Sequence, residues 1–273
     1  TKDDLSSWLN KIDKNIKLFI TSAKLEYKSI LDYDYKYSKE EILLSGLPRY
    51  DKLYNSTQKK ILVMPTWRQF LTSKPNNLGT REKNTNFTNS DFFCFYNNLI
   101  NNKKLLKKLE QTGYKMNLCL HPAIIMESEK FNKNKYVEIP TQICNYTKEF
   151  SEGALLITDY SSVAFDFAYL RKPVIYCQFD YEEVFRNHIY REGYFKYEKN
   201  GFGPIYKNLE TTVDGIIKIL EKDCRLDKKY KDRINSFFEY NDQNNSKRVY
   251  NAIKMIASPN SKPQNTRANE IPF

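Results

Sequence analysis

Several features that define common protein classes are missing from this sequence. Only two of its 273 residues are histidine, and its five cysteines form no Cys-X-X-Cys pair, so a zinc site is not expected. No stretch approaches the roughly 18 uninterrupted apolar residues of a membrane-spanning helix. Neither a G-x-G-x-x-G segment nor a Walker-type loop is present, and no carboxylate pair of the glycosidase kind is recognisable. We therefore expect neither a metal nor a cofactor.

The start of the chain, residues 1–4, lacks an initiator Met and an apolar signal region, which indicates a processed or partial chain. The cysteines are odd in number and far apart, and most lie in apolar runs such as the one around Cys119. This pattern favours buried free thiols in a reducing compartment.

Positive charge is what the sequence has in excess. Lys and Arg number 44 against 33 Asp and Glu, a net charge of +11. Such a balance attracts nucleic acid, anionic lipid headgroups or anionic substrates. Solvated Lys-rich helix faces, such as residues 103–108, would give the same count without any partner. Because no nucleic-acid-binding motif accompanies the charge, we do not expect nucleic acid as a partner.

Strands alternate with helices between residues 60 and 180, which predicts an α/β fold with a parallel, doubly wound sheet. Strands are predicted at residues 16–20, 41–45, 60–64, 115–120, 135–138, 154–157 and 173–176. Helices are predicted at residues 5–15, 22–31, 91–111, 142–151, 161–170, 209–222, 226–239 and 245–257, with Ser22 as a cap. Residues 72–90 are predicted to form a long loop.

The strongest candidate site lies in residues 155–166. A buried strand ends there, and Ser161 and Ser162 follow where the next helix should begin. The exposed N–H groups and the dipole of a helix start attract anions, and serine hydroxyls can add donors to a phosphate. Ordinary helix capping by serine explains the same residues. The position at the carboxyl end of a parallel strand, where such folds bind ligands, keeps both interpretations open.

Two further candidates follow other strands of the same sheet. His121 comes directly after a strand and can contact a phosphate or act as an acid or base, or it is a surface-loop histidine. Arg68 follows the first strand of the sheet and can clamp a phosphate through its forked donors. Its neighbour Trp67 either stacks on a ligand or packs.

Two turn-rich segments remain ambiguous from their residues alone. Arg49 lies in a connector turn at residues 46–51 and is either solvated or directed at a ligand. Residues 193–204 are rich in Gly and aromatics, and either line a pocket or turn the chain. His188, in the charged segment just before them, is interpreted as a surface residue.

Taken together, these segments resemble the CDP-glycerol glycerophosphotransferase family of teichoic-acid polymerases and related capsule enzymes. The matching blocks are GLPRYD at 46–51, MPTWR at 64–68, LHP at 120–122, and residues 157–170, 172–180, 193–195 and 201–204. They occur in family order over roughly residues 10–255, and the ordered set is far more specific than any single block.

The resemblance implies a GT-B-like fold, in which two Rossmann-like domains face each other and the C-terminal one holds the nucleotide. By this likeness, residues 1–57 would form the end of the N-terminal domain and a connector. Residues 58–258 would form the C-terminal nucleotide-binding domain, a Rossmann-type parallel sheet with flanking helices. Residues 259–273 are expected to be a disordered tail.

The family likeness also implies roles for individual residues. His121 would sit by the donor pyrophosphate and help CMP to leave, while Ser161, Ser162 and Arg68 would hold the diphosphate. The residues implied around the nucleotide cleft are Arg49, Pro65, Thr66, Asp159 and Tyr160.

The implied reaction transfers glycerol phosphate from CDP-glycerol to a growing teichoic-acid-like or capsular polymer. The terminal hydroxyl of the polymer attacks the phosphorus nearest glycerol and displaces CMP. The implied partners are a cytidine-diphosphate polyol, a lipid-linked or polymer acceptor, and the anionic inner face of the cell membrane, where the enzyme would be cytoplasmic and peripheral. The alternatives are a CDP-ribitol or nucleotide-sugar donor in capsule synthesis, and a non-catalytic module that binds anionic polymer or membrane.

One departure from the family concerns the acceptor base. The family carries an upstream His-Gly motif whose histidine is the expected base, whereas His121 and His188 are followed by Pro and Ile. We therefore expect little or no transferase activity from this chain alone.

Overall fold

Two parallel sheets and eleven helices are found in the residues that the computed structural model describes, which are 5–71, 86–187 and 193–258. The strands are β1 (Phe19–Thr21), β2 (Ile42–Leu44), β3 (Lys60–Val63), β4 (Lys115–Leu118), β5 (Val137–Glu138), β6 (Leu155–Thr158), β7 (Val174–Cys177) and β8 (Ile205–Tyr206). The predictions for His188, for most of the loop at 72–90 and for the tail at 259–273 lie outside the described residues.

Single helices, pairs of helices and a final run of three helices precede, separate or follow the strands. The helices are α1 (Ser6–Leu9), α2 (Lys24–Asp32), α3 (Asp91–Ile100), α4 (Lys103–Thr112), α5 (Tyr146–Glu152), α6 (Val163–Tyr169), α7 (Tyr181–Asn187), α8 (Tyr197–Asn200), α9 (Leu209–Leu220), α10 (Lys228–Phe237) and α11 (Asn245–Ala257). Short 3-10 segments include Pro48–Lys52 and Pro122–Lys130. In the part of the chain that is described, each helix is too short or too polar to cross a bilayer.

Six strands form one parallel sheet in the order β5-β4-β3-β6-β7-β8. The chain builds outward from β3 through β4 and β5, and then returns to place β6 on the other side of β3. The strand order therefore reverses between β3 and β6, which is the topological switch point of a doubly wound fold. The predicted α/β class with a parallel sheet is confirmed.

Apolar residues cover both faces of this sheet, as a buried parallel sheet requires. Along β3 the side chains alternate between two layers, because successive residues of a strand point to opposite faces. Ile61 and Val63 pack in the layer that also contains α3, α4 and α9, whereas Leu62 packs in the layer that contains α5, α6 and α10. The result is a three-layer arrangement with the sheet in the middle.

β1 and β2 form a separate two-stranded parallel sheet with α2 and a small apolar cluster of their own. α11, near the end of the described chain, packs against the connector that follows β2. There Asp51 accepts hydrogen bonds from the N–H groups of Asn245 and Ser246, at 3.0 and 2.7 Å. Residues 45–59, the connector between the two sheets, are thus held by hydrogen bonds to the start of α11.

Some local predictions were wrong. The predicted helix at 91–111 is two helices, since Asn102 caps a new one by accepting the N–H of Leu105 at 3.1 Å. The predicted helix at 5–15 is reduced to α1. Ser22 does not cap α2, because its hydroxyl donates to Glu26 instead. Among the five free cysteines, Cys94 is exposed rather than buried.

Candidate functional site

The carboxyl edge of the sheet brings together the loops that follow β3, β4 and β6. Thr66, after β3, donates its N–H to Asp159 Oδ1, after β6, at 2.9 Å. At the end of β4, the N–H of Cys119 donates to the carbonyl of Val63 at 2.9 Å. The three loops are thereby fixed side by side at the switch point, the edge at which doubly wound folds bind ligands.

His121 and Trp67 lie together at this edge. Their rings stack with centroids 5.8 Å apart and an interplanar angle of 27°. His121 also begins the 3-10 segment that follows it, because its Nδ1 accepts the N–H of Ala123 at 3.1 Å. With Nδ1 acting as an acceptor, the proton of the neutral ring resides on Nε2, which makes Nε2 the hydrogen-bond donor of this side chain.

The two serines predicted to bind phosphate differ in their bonding. Ser161 Oγ accepts the N–H of Val163 over a long 3.4 Å, which is weak capping of α6. Ser162 occupies the cap position of α6, but its side chain makes no capping hydrogen bond. Ser161 is half-buried, whereas Ser162 is exposed. Capping therefore accounts for Ser161 in part and does not account for the hydroxyl of Ser162.

Arg68 requires a correction. Its side chain is completely buried, and its guanidinium donates to Asp159 at 2.9 Å, to Asp180 at 2.7 and 3.1 Å, and to the carbonyl of Thr66 at 2.5 Å. Burial alone would lower the pKa of Arg68, but the two carboxylates outweigh it and raise that pKa. A guanidinium so enclosed does not reach a substrate diphosphate, so the predicted phosphate clamp does not fit. Arg68 instead ties together the loops after β3, β6 and β7.

The other residues predicted to lie around a nucleotide cleft are found beneath the surface of the carboxyl edge. Pro65, Thr66, Asp159 and Tyr160 are all buried. Asp159 accepts the N–H of Tyr160 at 2.5 Å in addition to its bonds from Thr66 and Arg68. Burial, followed by the charge of Asp180, raises the pKa of Tyr160. These buried residues fix the positions of the loops at the carboxyl edge.

Arg49 reaches the site from the connector. Its guanidinium makes a bidentate ion pair with Asp166 of α6, with distances of 2.6 and 2.9 Å. This hydrogen-bonded pairing raises the pKa of Arg49, and 57% of the Arg49 side chain remains exposed. Because α6 begins directly after Ser162, the pair fixes the connector against the helix that carries the candidate phosphate site.

Sequence reasoning missed Asp180 and Tyr96, which complete the buried network. Asp180 follows β7 and pairs with Arg68, and the hydroxyl of Tyr96 donates to Asp159 at 3.2 Å. A carboxylate four residues after the strand predicted at 173–176 was a usable signal for Asp180. Tyr96 gave none, because an aromatic residue on an apolar helix face is typical of a core. Asp180 has a raised pKa because its burial outweighs the nearby Arg68.

Two buried polar atoms near the same edge have no hydrogen-bond partner among the described residues, namely Thr66 Oγ1 and Gln178 Nε2. Burying a polar group without a partner is costly, so such atoms favour a bound water or ligand at this edge. The residues that the structure describes contain no group of three or more His, Cys, Asp and Glu side chains that could hold a metal.

The cavities described below lie at the amino edge of the sheet, whereas the candidate polar residues lie at its carboxyl edge. Cavities of about 340 and 320 Å³ lie at the amino edge, near Pro173 and Pro204 and near Lys59 and Ala154 respectively. Neither cavity is lined by a predicted site residue. We assign the candidate site to the carboxyl edge because the switch point, the histidine and the serines coincide there.

The sequence was compared with protein-family profiles and with known proteins. A profile of the family described as CDP-Glycerol:Poly(glycerophosphate) glycerophosphotransferase matches residues 2–255. The minor teichoic acid biosynthesis protein GgaB of Bacillus subtilis (strain 168) is 43% identical over 255 residues, which are 93% of this chain and 28% of GgaB. The chain thus spans little more than a quarter of the length of that relative.

Solved structures of the wall teichoic acid polymerase TagF share the fold. One has a TM-score of 0.60 at 19% identity and covers 89% of this chain and 60% of TagF. Another, of a TagF variant soaked with CDPG, has a TM-score of 0.59 at 20% identity and covers 91% of this chain and 62% of that one. This likeness confirms the predicted GT-B-like fold class, and the profile match extends over nearly the whole chain. The chain belongs to the CDP-Glycerol:Poly(glycerophosphate) glycerophosphotransferase family.

Proposed function

We propose that this chain forms the donor-binding part of an enzyme that transfers glycerol phosphate from CDP-glycerol to a growing teichoic-acid-type polymer and releases CMP. The observation that carries the proposal is that Thr66, His121 and Ser162 lie in the loops after β3, β4 and β6, which are neighbouring strands at the switch point, the edge where such folds bind nucleotides. Membership of the family and the CDPG soak of a TagF variant support the choice of donor.

The residues at this edge suit the charge that develops in the reaction. The N–H groups at the start of α6 and the hydroxyls of Ser161 and Ser162 would neutralise the donor diphosphate. His121 would donate its Nε2–H to an oxygen of the departing CMP, since its Nδ1 is held by Ala123. Arg68 would act as a positioning residue, because it orders the loops beneath the diphosphate without touching it.

The domain division remains part of the proposal. Residues 58–258 would be the C-terminal nucleotide-binding domain, and residues 1–57 would be the end of the N-terminal domain with its connector. In support, β1 and β2 pair only with each other among the described strands and have a separate apolar cluster. Parallel sheets are normally larger and covered on both faces, which favours a two-stranded piece of a larger sheet.

The acceptor, the location and the polymer also belong to the proposal. The acceptor would be a lipid-linked or polymeric hydroxyl at the inner face of the cell membrane, where the protein would bind peripherally. The net charge of +11 suits both an anionic polymer and an anionic membrane. The polymer would be of the teichoic-acid or capsular kind.

Calorimetric titration of the chain with CDP, CMP, UDP and GDP tests the donor site. We expect CDP to bind more tightly than UDP and GDP, and both His121→Asn and Ser162→Ala to weaken it by roughly tenfold, about 1.4 kcal/mol. The His121→Asn variant keeps an acceptor for the N–H of Ala123 but removes the Nε2 donor and the ring that stacks on Trp67. Ser56→Ala, at an exposed serine before β3, is the matched control and should bind CDP normally.

Equal binding of all four nucleotides, or unchanged CDP binding in both site variants, would contradict the proposal. Titration with CDP-glycerol and CDP-ribitol then compares the two donors directly. A non-catalytic module would instead bind anionic polymer or vesicles with no response to added CDP.

A further inference from the structure

A second concave site lies at the amino edge of the sheet, on the side opposite the donor site. It is the cavity of about 340 Å³ bounded by the start of β7, by β8 and by the turn between α9 and α10. We call it the amino-edge groove. Its basic rim is formed by Lys218, Lys222, Arg225 and Lys228. Its wall includes Phe202, Pro204, Tyr206, Leu226 and Tyr230.

The positive charge of the rim is largely unneutralised. Lys218, Lys222 and Arg225 are exposed, and none forms a salt bridge with a carboxylate of the described residues. Lys228 pairs with Asp232 at 2.6 Å, but both side chains are mostly exposed and such pairs are weak.

The acids near the groove are already engaged. Asp227, an acid that lines it, caps α10 by accepting the N–H of Lys229 at 2.9 Å. Glu221, which follows α9, is paired with Lys108 at 2.8 Å. Asp227 keeps its negative charge, so apart from the Lys228–Asp232 pair three cations face a single lining acid. The groove therefore carries a net positive charge, which attracts anions.

The wall of the groove is apolar and held in place. Phe202 is fully buried beneath it, and Tyr206 lies so close to Gly215 that an added Cβ there would meet the tyrosine ring at 2.3 Å. Phe202 and Pro204 of this wall belong to the Gly-rich segment 201–204, whose sequence alone left open whether it lines a pocket. A ligand that fits must present carbon-bonded hydrogens to the wall and several negative charges to the rim.

We propose that the amino-edge groove binds a polyol-phosphate chain at a site separate from the donor site. Such a chain alternates phosphates, which the rim would pair with, and short polyol carbons, which would pack on the wall. A flat membrane surface contacts protruding residues and does not enter a concave floor, so the shape favours a flexible polyanion over a bilayer. The choice of polyol phosphate as the polyanion rests on the proposed function.

The test compares two double variants that change the net charge equally. The rim variant, Lys222→Glu with Arg225→Glu, reverses the charge of two rim residues. The control variant, Lys17→Glu with Lys133→Glu, reverses the charge of two exposed lysines outside the groove. Binding of a synthetic glycerol-phosphate oligomer is measured by calorimetry at low and at high ionic strength. We expect the rim variant to lose roughly tenfold or more in affinity, with a weaker salt dependence, and the control variant to lose less than about threefold.

Equal losses in the two double variants would overturn the proposal, because they would reflect net charge alone. A rim variant that binds the oligomer normally but loses binding to vesicles containing anionic lipid would overturn it in favour of a membrane surface. CDP titration keeps the two proposals distinct. If the rim variant loses the oligomer and retains CDP, the groove is a separate site; if the original chain binds the oligomer but no CDP, the donor site fails and the groove stands.

Discussion

Arg68 shows what a single side chain does in this fold. Its four hydrogen bonds connect the loops after β3, β6 and β7. These three strands are adjacent in the sheet. The aromatic rings of Phe92 and Tyr160 lie 5.4 and 5.3 Å from its guanidinium carbon, so water is replaced by fixed partners. The buried charge is tolerated because two carboxylates and a carbonyl surround it.

Replacing Arg68 should therefore destabilise the protein strongly. Arg68→Met leaves Asp159 and Asp180 buried without their cation, and breaking such a buried pair from one side costs about 3–5 kcal/mol. Urea unfolding of the variant and the original chain measures the difference. Lys228→Met removes a cation from an exposed pair and should leave the stability nearly unchanged. A loss as small for Arg68→Met would show that the buried network contributes little.

At the scale of elements, α11 joins the segment that follows β2 to the segment that follows α10. Arg248 of α11 donates to the carbonyl of Ser45, at 2.8 Å, and makes a bidentate pair with Asp242, with both distances 2.9 Å. Its guanidinium carbon also lies 3.7 Å from the ring centroid of Tyr240. One arginine thus fixes the start of the helix, the segment before it and the end of β2.

This anchor should make stability fall in acid. The hydrogen bonds from Arg248 lower the pKa of Asp242 to about 2, below the ordinary value near 4. Between about pH 4 and pH 2 the unfolded chain binds more protons at this group, so the stability it contributes is present above that window and is lost as the pH falls through it. Because the pair is partly exposed, the loss should be about 1 kcal/mol or less.

Urea unfolding across that pH range checks the prediction. The Asp242→Asn variant keeps a similar side chain without the titrating group and should lose less stability than the original chain between about pH 4 and pH 2. Asp232→Asn, in an exposed pair with Lys228, is the control and should follow the original chain. Identical pH dependence in Asp242→Asn and the original chain would argue against the anchor.

For the molecule as a whole, the two sheets differ in how well they are supported. β3 lies between β4 and β6 and is buried on both faces. Among the described strands, β1 pairs only with β2, over three residues. The free energy of local opening is small where few apolar contacts are lost. In a central strand it approaches the free energy of global unfolding.

Hydrogen exchange should reflect this difference. We expect the amides of β3 and β6 to exchange slowest, and those of β1 and β2 to exchange faster through local opening. Exchange followed by mass spectrometry on peptides from the two sheets measures it. Protection of β1 equal to that of β6 would mean that the two sheets open as one unit.

Much of this architecture was determined by the sequence alone. Continuous apolar runs mark β3, β6 and β7 because both faces of those strands are buried, and that pattern is local. The same locality placed His121 and the serines at strand ends, where a parallel sheet gathers them at one edge. The ordered blocks indicated the family before any contact was known.

Only the tertiary structure decided which of these groups face a ligand. Arg68 lies 91 residues from Asp159 and 112 from Asp180, so no local pattern could show that the arginine is enclosed by carboxylates. The amino-edge groove likewise combines the start of β7 with residues from 202 to 230, which meet only because β8 pairs with β7. Periodicity reports how a residue sits within its own element, whereas the pairing of charges and the lining of a groove depend on which elements become neighbours.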